Sequence, residues 1–412
     1  MGRYTQRAHV RAAFFDGITL GVLALNEFVA KKTLGSSDAV ITALVMAQPI
    51  SLFFSAYWSN FLVGREKRTT FLLFGILGRL TLAFVALVQG GVAFAVVIVF
   101  ATLMAGAIIP AQNALLQSNY DTRERGGAYG LATASAGVAI VLTAVGVGHL
   151  YDLRPGAYRW AYAAAAISGF VSCWIYFKIR FRGRLGRHSG SSPIHRGMHR
   201  EIRSSFRSPF AGSLTILRRD RAFRRYETAF MSYGLAFMML QPVIPIFLVE
   251  ELHVDYAQAG TARGLIFYAM VVLFSPLFGR LLDHTDPVRI STFAFLTLAL
   301  FPAGLALSNG LGAVYLCFGV YGVAMAGVNM GWTMGPIHFA GKTDSAAYMG
   351  AHVALVGVRG LIGGPAGILL YRLSGTPRAT FLASCALLLL GSAIMASLWS
   401  GRAYAGANSG PN

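Results

Sequence analysis

The sequence predicts an all-α integral membrane protein of about twelve transmembrane helices in two six-helix bundles, related by a pseudo-twofold repeat. Three observations carry this. Of the 412 residues, 55% are hydrophobic and only 12% charged, about half the charged fraction of an ordinary soluble chain. Apolar runs of about twenty residues, the length that crosses a bilayer, recur between short loops. One long arginine-rich stretch interrupts the series at its middle, leaving six runs on either side.

The runs lie at 12–33, 37–58, 70–89, 91–117, 128–150 and 157–180, then at 223–249, 257–280, 287–308, 310–336, 346–371 and 377–400. They divide the chain into an N-terminal bundle over 1–180, a basic linker over 181–222 and a C-terminal bundle over 223–412. Gly and Ser in the linker give it flexibility, and Leu214-Thr215-Ile216-Leu217 allows a short surface helix within it. Arg3, Arg7 and Arg11 ahead of the first run imitate a signal peptide, but Asp16 interrupts the would-be apolar core and no small-residue cleavage site follows. The run is therefore read as a retained first helix.

The formal charge of +19 lies mostly between Lys178 and Arg225. In a membrane protein such a segment marks the cytoplasmic side, because Lys and Arg in short loops stay inside; a nucleic-acid partner is not expected. Arg65, Lys67, Arg68, Arg123, Arg125, Arg280, Arg289, Lys342 and Arg402 share the linker's side, which places both termini in the cytoplasm of a cell bounded by this membrane, a bacterial inner membrane by expectation. Lys31, Lys32, Arg154, Arg159, Arg372 and Arg378 fall opposite, with the acidic Glu250, Glu251 and Asp255. Cys173, Cys317 and Cys385 sit inside apolar runs, an odd set with no disulfide framework and no metal spacing. The 47 glycines suit close helix packing in lipid.

Ionisable residues inside membrane helices are costly and mark function or pairing. On the first helix Asp16 and Glu27 are eleven residues apart, three turns and so nearly one face. Each is either a proton or cation site, or an interfacial group: Asp16 pairing with Arg11 or a loop, Glu27 reaching toward Lys31. Asn26 stands beside Glu27, and Gln48 on the second helix joins the polar candidates. Glu227, Met231, Gly234, Met238 and Gln241 form one stripe on the seventh helix, which reads as helix packing or as a face for a solute of variable shape. Glu227 follows Arg224 and Arg225 closely enough to be interfacial. Asn329, Trp332, Thr333 and Pro336 share a face of the tenth helix, with His338 past its end. The fourth helix matches it with Pro110, Gln112 and Asn113. On the eleventh, His352 and Arg359 are seven residues apart, and Gly363-Gly364-Pro365-Ala366-Gly367 beyond them offers a point of bending. Arg79 on the third helix and Arg263 on the eighth are further intramembrane cations.

The halves overlay at an offset of about 220 residues. Asn60-x-x-x-Gly64 falls on Asp283-x-x-x-Pro287, Met104-Ala105-Gly106 on Met325-Ala326-Gly327, Ala128-Tyr129 on Ala347-Tyr348, and Gly148 on Gly367. The charged turn Gly279-Arg280-Leu281-Leu282-Asp283-His284-Thr285-Asp286-Pro287-Val288-Arg289 resembles the loop between the second and third helices of each half of major facilitator superfamily transporters. The resemblance covers nearly the whole chain. In the first half Ala56 and Asn60 stand at the usual Gly and Asp, while Gly64-Arg65-Glu66-Lys67-Arg68 keeps the basic part. The resemblance implies a central cavity lined by the first, fourth, seventh and tenth helices, gates shaped by the second, fifth, eighth and eleventh, and rocking of the bundles about a midplane site. It makes Asn60, Gly64, Arg65, Gly279, Asp283, Pro287 and Arg289 the gating-loop residues, and the third helix a support, so that Arg79 is a brace. The embedded Arg of the fourth helix and the Gly-Pro pair of the fifth that mark drug–proton antiporters are missing.

No Gly-x-Ser-x-Gly or His-Glu-x-x-His occurs, and Gly341-Lys342-Thr343 lacks the strand and first glycine of a phosphate loop. The sequence therefore predicts a non-enzymatic, cofactor-free secondary transporter of a small organic solute, working by alternating access with a proton or another coupling ion, as a monomer in a lipid bilayer. The cations Arg79, Arg263 and Arg359 favour an anionic or zwitterionic solute, or else pair with Asp16 and Glu27. The competing expectation is a membrane receptor or assembly factor of the same fold that does not transport and whose basic linker docks a partner or anionic lipid.

Overall fold

The computed structural model describes residues 2–61, 67–108, 111–112, 115, 119–120, 122–179, 209–340 and 345–399, with side chains described throughout except at 2–3, 55–61, 67, 122–129, 209–213, 283 and 345–347. Ten helices among these are long and apolar enough to span a bilayer, and Asp38–Phe54 and Gly91–Ala105 are shorter apolar helices at the second and fourth predicted positions. The helices are α1 (Gly2–Leu23), α2 (Asp38–Phe61), α3 (Lys67–Gly78), α4 (Gly91–Ala105), α5 (Thr122–Leu153), α6 (Tyr158–Lys178), α7 (Arg221–Ile246), α8 (Phe267–His284), α9 (Pro287–Leu307), α10 (Leu311–Ala340), α11 (Ser345–Ser374) and α12 (Pro377–Ala396). A further helix, Pro209–Arg219, covers the segment around Leu214 within the predicted linker.

The chain forms two units. One comprises Met1–Ser191 with Leu248–Leu265, the other Ser192–Phe247 with Ile266–Asn412. In the first, α1 packs on α5 and α6, α2 on α4, and α3 on α4 and α6. In the second, α7 packs on α11 and α12, α8 on α10, and α9 on α10 and α12. These five pairings correspond helix for helix between the units, which is the structural form of the sequence repeat. The seams are made by small residues: an added Cβ at Gly21 of α1 would lie 2.7 Å from Thr143 of α5. Outward faces are apolar because their solvent is lipid; Leu142, Leu307 and Leu373 are 64%, 80% and 77% exposed.

Helix starts follow local chemistry. Asp286 accepts from the backbone N–H of Arg289, and Pro287 begins α9 where no N–H is needed. Thr376 and Pro377 repeat the arrangement at α12. Gly375 just before it has φ +70°, a left-handed conformation that a side chain would strain.

Several expectations need correction. The charged turn is shorter than its sequence suggests: Gly279 through His284 continue α8, and only Thr285 and Asp286 stand outside a helix. The first span starts earlier, at Gly2, and α1 stops at Leu23, so Asp16 and Glu27 do not share one unbroken helix. The third helix becomes 3-10 over Leu80–Ala86. His338 lies in the last turn of α10, within the helix. α11 is continuous through Gly363–Gly367 to Ser374, and an added Cβ at Gly363 or Gly367 would fall onto α7 at Met238 or Met239. Gly279 has open space around its Cβ position. Gly279→Ala is therefore expected to leave stability unchanged or raise it by about 0.5–1 kcal/mol through helix propensity, measured as the unfolding midpoint in detergent. A drop of more than that would show that this glycine is packed.

Candidate functional site

Among the described residues, three clusters of polar residues interrupt the apolar interior. The first lies in the first unit, where α1 presents Asp16. Arg79 sits at the joint between α3 and the 3-10 segment, and its Nη2 lies 2.6 Å from Asp16 Oδ1. The arginine stem reaches across because Gly169 of α6 has no side chain; a Cβ there would lie 2.9 Å from both Arg79 Cδ and Thr19 Oγ1. The pair borders a cavity of about 230 Å³ that is also lined by Gln48, Ser51, Thr102 and Gln112. Liquid water takes about 30 Å³ per molecule, so this volume suits a handful of waters or one polar end of a solute rather than a whole drug-sized ligand, whose sites run from about 300 Å³ upward. An ion pair in such a wall is stable because both charges are matched and one side is hydrated.

The second cluster also lies in the first unit, around the segment Leu248–Leu265. Glu27 pairs with Arg263 at 2.8 Å, Lys31 with Glu250 at 2.6 Å and Asp38 at 3.2 Å, and Lys32 with Asp255 at 3.0 Å. Asp152, near the end of α5, accepts from the backbone N–H groups of Tyr256 and Ala257 at 2.8 and 2.7 Å, capping the short helix Tyr256–Gly260. Four of the partners, Lys31, Lys32, Glu250 and Arg263, sit on π-helical turns at Val29–Thr33, Phe247–Glu251 and Thr261–Ile266. Such turns re-aim side chains and recur at functional sites. Asn26 accepts a hydrogen bond from the Tyr162 hydroxyl. Glu27 therefore meets Arg263 rather than Lys31.

The third cluster lies in the second unit, along the α7–α11 seam. Both oxygens of Glu227 lie within reach of His352 Nδ1, at 2.8 and 3.0 Å. Both residues are buried, at 2% and 0% exposure. Seven residues further along each helix, Arg359 lies against Gly234, where an added Cβ would overlap the guanidinium stem. Four residues beyond that, Gly363 meets Met238. Glu227, Gly234 and Met238 thus match His352, Arg359 and Gly363 at a constant offset of 125, as two parallel helices in register require. Arg359 donates to the Phe230 carbonyl at 2.6 Å and stands 5.6 Å from the centroid of the Tyr233 ring. Trp332 meets His352 edge-on, with ring centroids 5.2 Å apart.

Of the residues expected from sequence, Asp16, Gln48 and Gln112 are brought to one cavity, and Trp332, His352 and Arg359 to one seam. Asn26, Glu27 and Arg263 gather at the second cluster. Gln241 is half-buried on α7, and Asn329 is exposed on α10. Gly64, Arg65 and Asn113 lie outside the described residues, as do the side chains of Asn60 and Asp283. Pro287 is buried, and the exposed Arg289 pairs with Asp286 at 3.4 Å. Glu227 is the correction: it is not interfacial with Arg224 and Arg225 but fully buried against His352. The signal for it was the shared seven- and four-residue spacing of the α7 and α11 stripes.

A family model described as Major Facilitator Superfamily matches residues 12–335 and, again, 228–410. No curated protein matches significantly. Among solved structures, the chain is similar to a POT family transporter in complex with 5-aminolevulinic acid, at 13% identity and TM-score 0.77 over 96% of each chain. It is similar to a bacterial homologue of the human lysosomal transporter Spinster, inward-facing and unoccupied, at 13% identity and TM-score 0.68 over 100% of this chain and 99% of that one. It is also similar to a mutant of the nucleoside transporter NupG, at 14% identity and TM-score 0.68 over 96% and 100%. At these identities the likeness establishes the fold. With a family match spanning both halves, and with helices enough to cross a bilayer throughout, the chain is an integral membrane protein and belongs to the Major Facilitator Superfamily.

Proposed function

We propose that the protein is a secondary active transporter that carries a small organic solute by alternating access with proton coupling, as a monomer in a bacterial inner membrane with both termini cytoplasmic. The observation that carries this reading is the Asp16–Arg79 pair in the wall of a polar cavity between otherwise apolar helices. A lipid-embedded scaffold has no need of such a site; a solute path does. The guanidinium of Arg79 and the amides of Gln48 and Gln112 suit a solute bearing an acid group, anionic or zwitterionic. The POT neighbour holds 5-aminolevulinic acid, a compact solute with a carboxyl group.

The second cluster supports alternating access. Its ion pairs join Lys31, Lys32 and Glu27 to a segment that follows α7 in sequence. The Lys32–Asp255 pair is open to solvent, and such pairs are worth about 1 kcal/mol or less, which suits a contact that forms and breaks in every cycle.

A thermal-shift screen of the purified protein against amino acids, organic acids, nucleosides and sugars tests the reading, because a bound solute stabilises the folded state. The expected result is a hit among acids or amino acids that is lost in Arg79→Gln, which removes the cation that would hold the acid group. Stabilisation by sugars alone, unchanged in that variant, would overturn the anionic assignment. A stable protein that binds no solute and moves none would favour the non-transporting receptor reading.

A further inference from the structure

We propose that the cavity beside Asp16 and Arg79 binds a small zwitterion, an α-amino acid with a short aliphatic side chain, in preference to a simple anion. This solute class rests on the reading above, which takes the cavity as the solute site.

The charge balance of the wall selects the zwitterion. Asp16 and Arg79 form an ion pair, and neither has a second ion-pair partner among the described residues. No other charged side chain lines the cavity. The wall therefore sums to zero. A bare carboxylate entering it lowers the sum to −1, and Asp16 repels it while Arg79 attracts it; an uncompensated charge inside membrane-spanning helices is costly. A lone ammonium group meets the opposite obstacle. A zwitterion leaves the sum at zero, its carboxylate accepting from the guanidinium and its ammonium donating to the Asp16 carboxylate, and both are charge-assisted hydrogen bonds. Because the two wall groups touch, the two charges of the solute have to lie close together, as they do when one carbon carries both.

The wall also has unused hydrogen-bonding capacity. A guanidinium has five N–H donors. Arg68, Arg359 and Arg378 each give one to a backbone carbonyl, whereas Arg79 donates to no carbonyl among the described residues. The pair uses Oδ1 of Asp16, and the aspartate side chain is 21% exposed where it lines the cavity. Nearby, the exposed Gln48 makes no hydrogen bond among the described residues.

Away from the pair the lining is aliphatic, with Leu20 and Leu23 from α1, Leu82 from the 3-10 segment and Ala101 from α4. This end suits a hydrocarbon side chain. At about 30 Å³ for each non-hydrogen atom, as in liquid water, the volume of about 230 Å³ takes a solute near valine in size and smaller than phenylalanine. The surrounding helices cannot spread to admit more. An added Cβ at Gly78 of α3 would lie 2.7 Å from the Ala105 backbone nitrogen of α4, and one at Gly106 would overlap Ser51 Oγ of α2, whose hydroxyl donates to the Thr102 carbonyl. Such close-packed contacts resist displacement.

Calorimetric titration of the purified full-length protein at neutral pH tests the proposal with four probes. These are valine, isovalerate (valine without its ammonium), isobutylamine (valine without its carboxylate) and phenylalanine. Valine is expected to bind wild type at least about tenfold more tightly than either truncated probe, the loss of one hydrogen bond to a charged group, and more tightly than phenylalanine. The single-charge variants should change the preference in opposite directions. Asp16→Asn leaves the wall at +1 and should bind isovalerate more tightly than wild type does; Arg79→Gln leaves it at −1 and should do the same for isobutylamine. A merely structural role for the pair would weaken all probes alike. If either variant does not fold, the wild-type series decides alone. Isovalerate bound by wild type as tightly as valine overturns the proposal and makes the cavity an anion site. Failure of all four probes, beside another acid that binds and is lost in Arg79→Gln, overturns the solute class and retains the cavity as the solute site. Valine binding that is the same in wild type and both variants places the solute elsewhere and overturns both.

Discussion

Arg79→Ala is expected to destabilise the protein by about 3–5 kcal/mol, because removing one partner of a buried pair leaves the other charge without compensation. Arg79 is 8% exposed and its partner Asp16 faces the cavity, so hydration from that side places the loss toward the lower figure. The double variant Asp16→Asn/Arg79→Gln removes both charges and keeps hydrogen-bonding groups, and should recover most of the loss. Neither variant should transport, since both lack the charged wall of the cavity. Unfolding free energies of the two single variants and the double give the coupling directly. A coupling below about 0.5 kcal/mol, the level at which independent sites add, would mean that the two residues meet without depending on each other.

Gly367→Ala is expected to cost about 2–3 kcal/mol, the upper part of the range for overpacking. An added Cβ there would overlap the carbonyl oxygen of Met239, a backbone atom that cannot turn aside as a side chain can. The same substitution at Gly350, on the same helix with nothing near its Cβ position, serves as control. It should be neutral or stabilising by about 0.5–1 kcal/mol. Unfolding midpoints that fall equally for both would show that α11 is not seated on α7 by its glycines.

Much of the architecture was legible in the sequence because lipid imposes one rule on every span: about twenty apolar residues, all hydrogen-bonded within the helix. The repeat was legible for the same reason, since matched Gly and Ala positions mark matched seams. Less legible was anything decided by a partner distant in sequence. Arg79 reads as a brace until Gly169, ninety residues away, is seen to open its route to Asp16. Glu227 reads as interfacial from its neighbours Arg224 and Arg225, because sequence shows the adjacent charges and hides His352 across the seam. Glu27 has Lys31 one turn away, yet the π-helical turn at Val29–Thr33 re-aims the lysine toward Glu250 and Asp38 and leaves Glu27 to Arg263. The charged link before Arg289 reads as a turn, but its first six residues, Gly279 through His284, lengthen α8 instead. The sequence leaves Arg79 and Arg263 open to pairing with Asp16 and Glu27, and they do pair; for Glu227 composition gave the right environment and the wrong neighbour.

Reconstitution into proteoliposomes tests the central claim most directly. The solute that most stabilises the purified protein is supplied outside, at equal concentration with and without an inside-alkaline pH gradient, and its internal concentration is followed. Proton coupling predicts an internal level that departs from the external one only when the gradient is imposed, and no departure in Asp16→Asn. Internal and external levels that come to the same value with or without the gradient would contradict it.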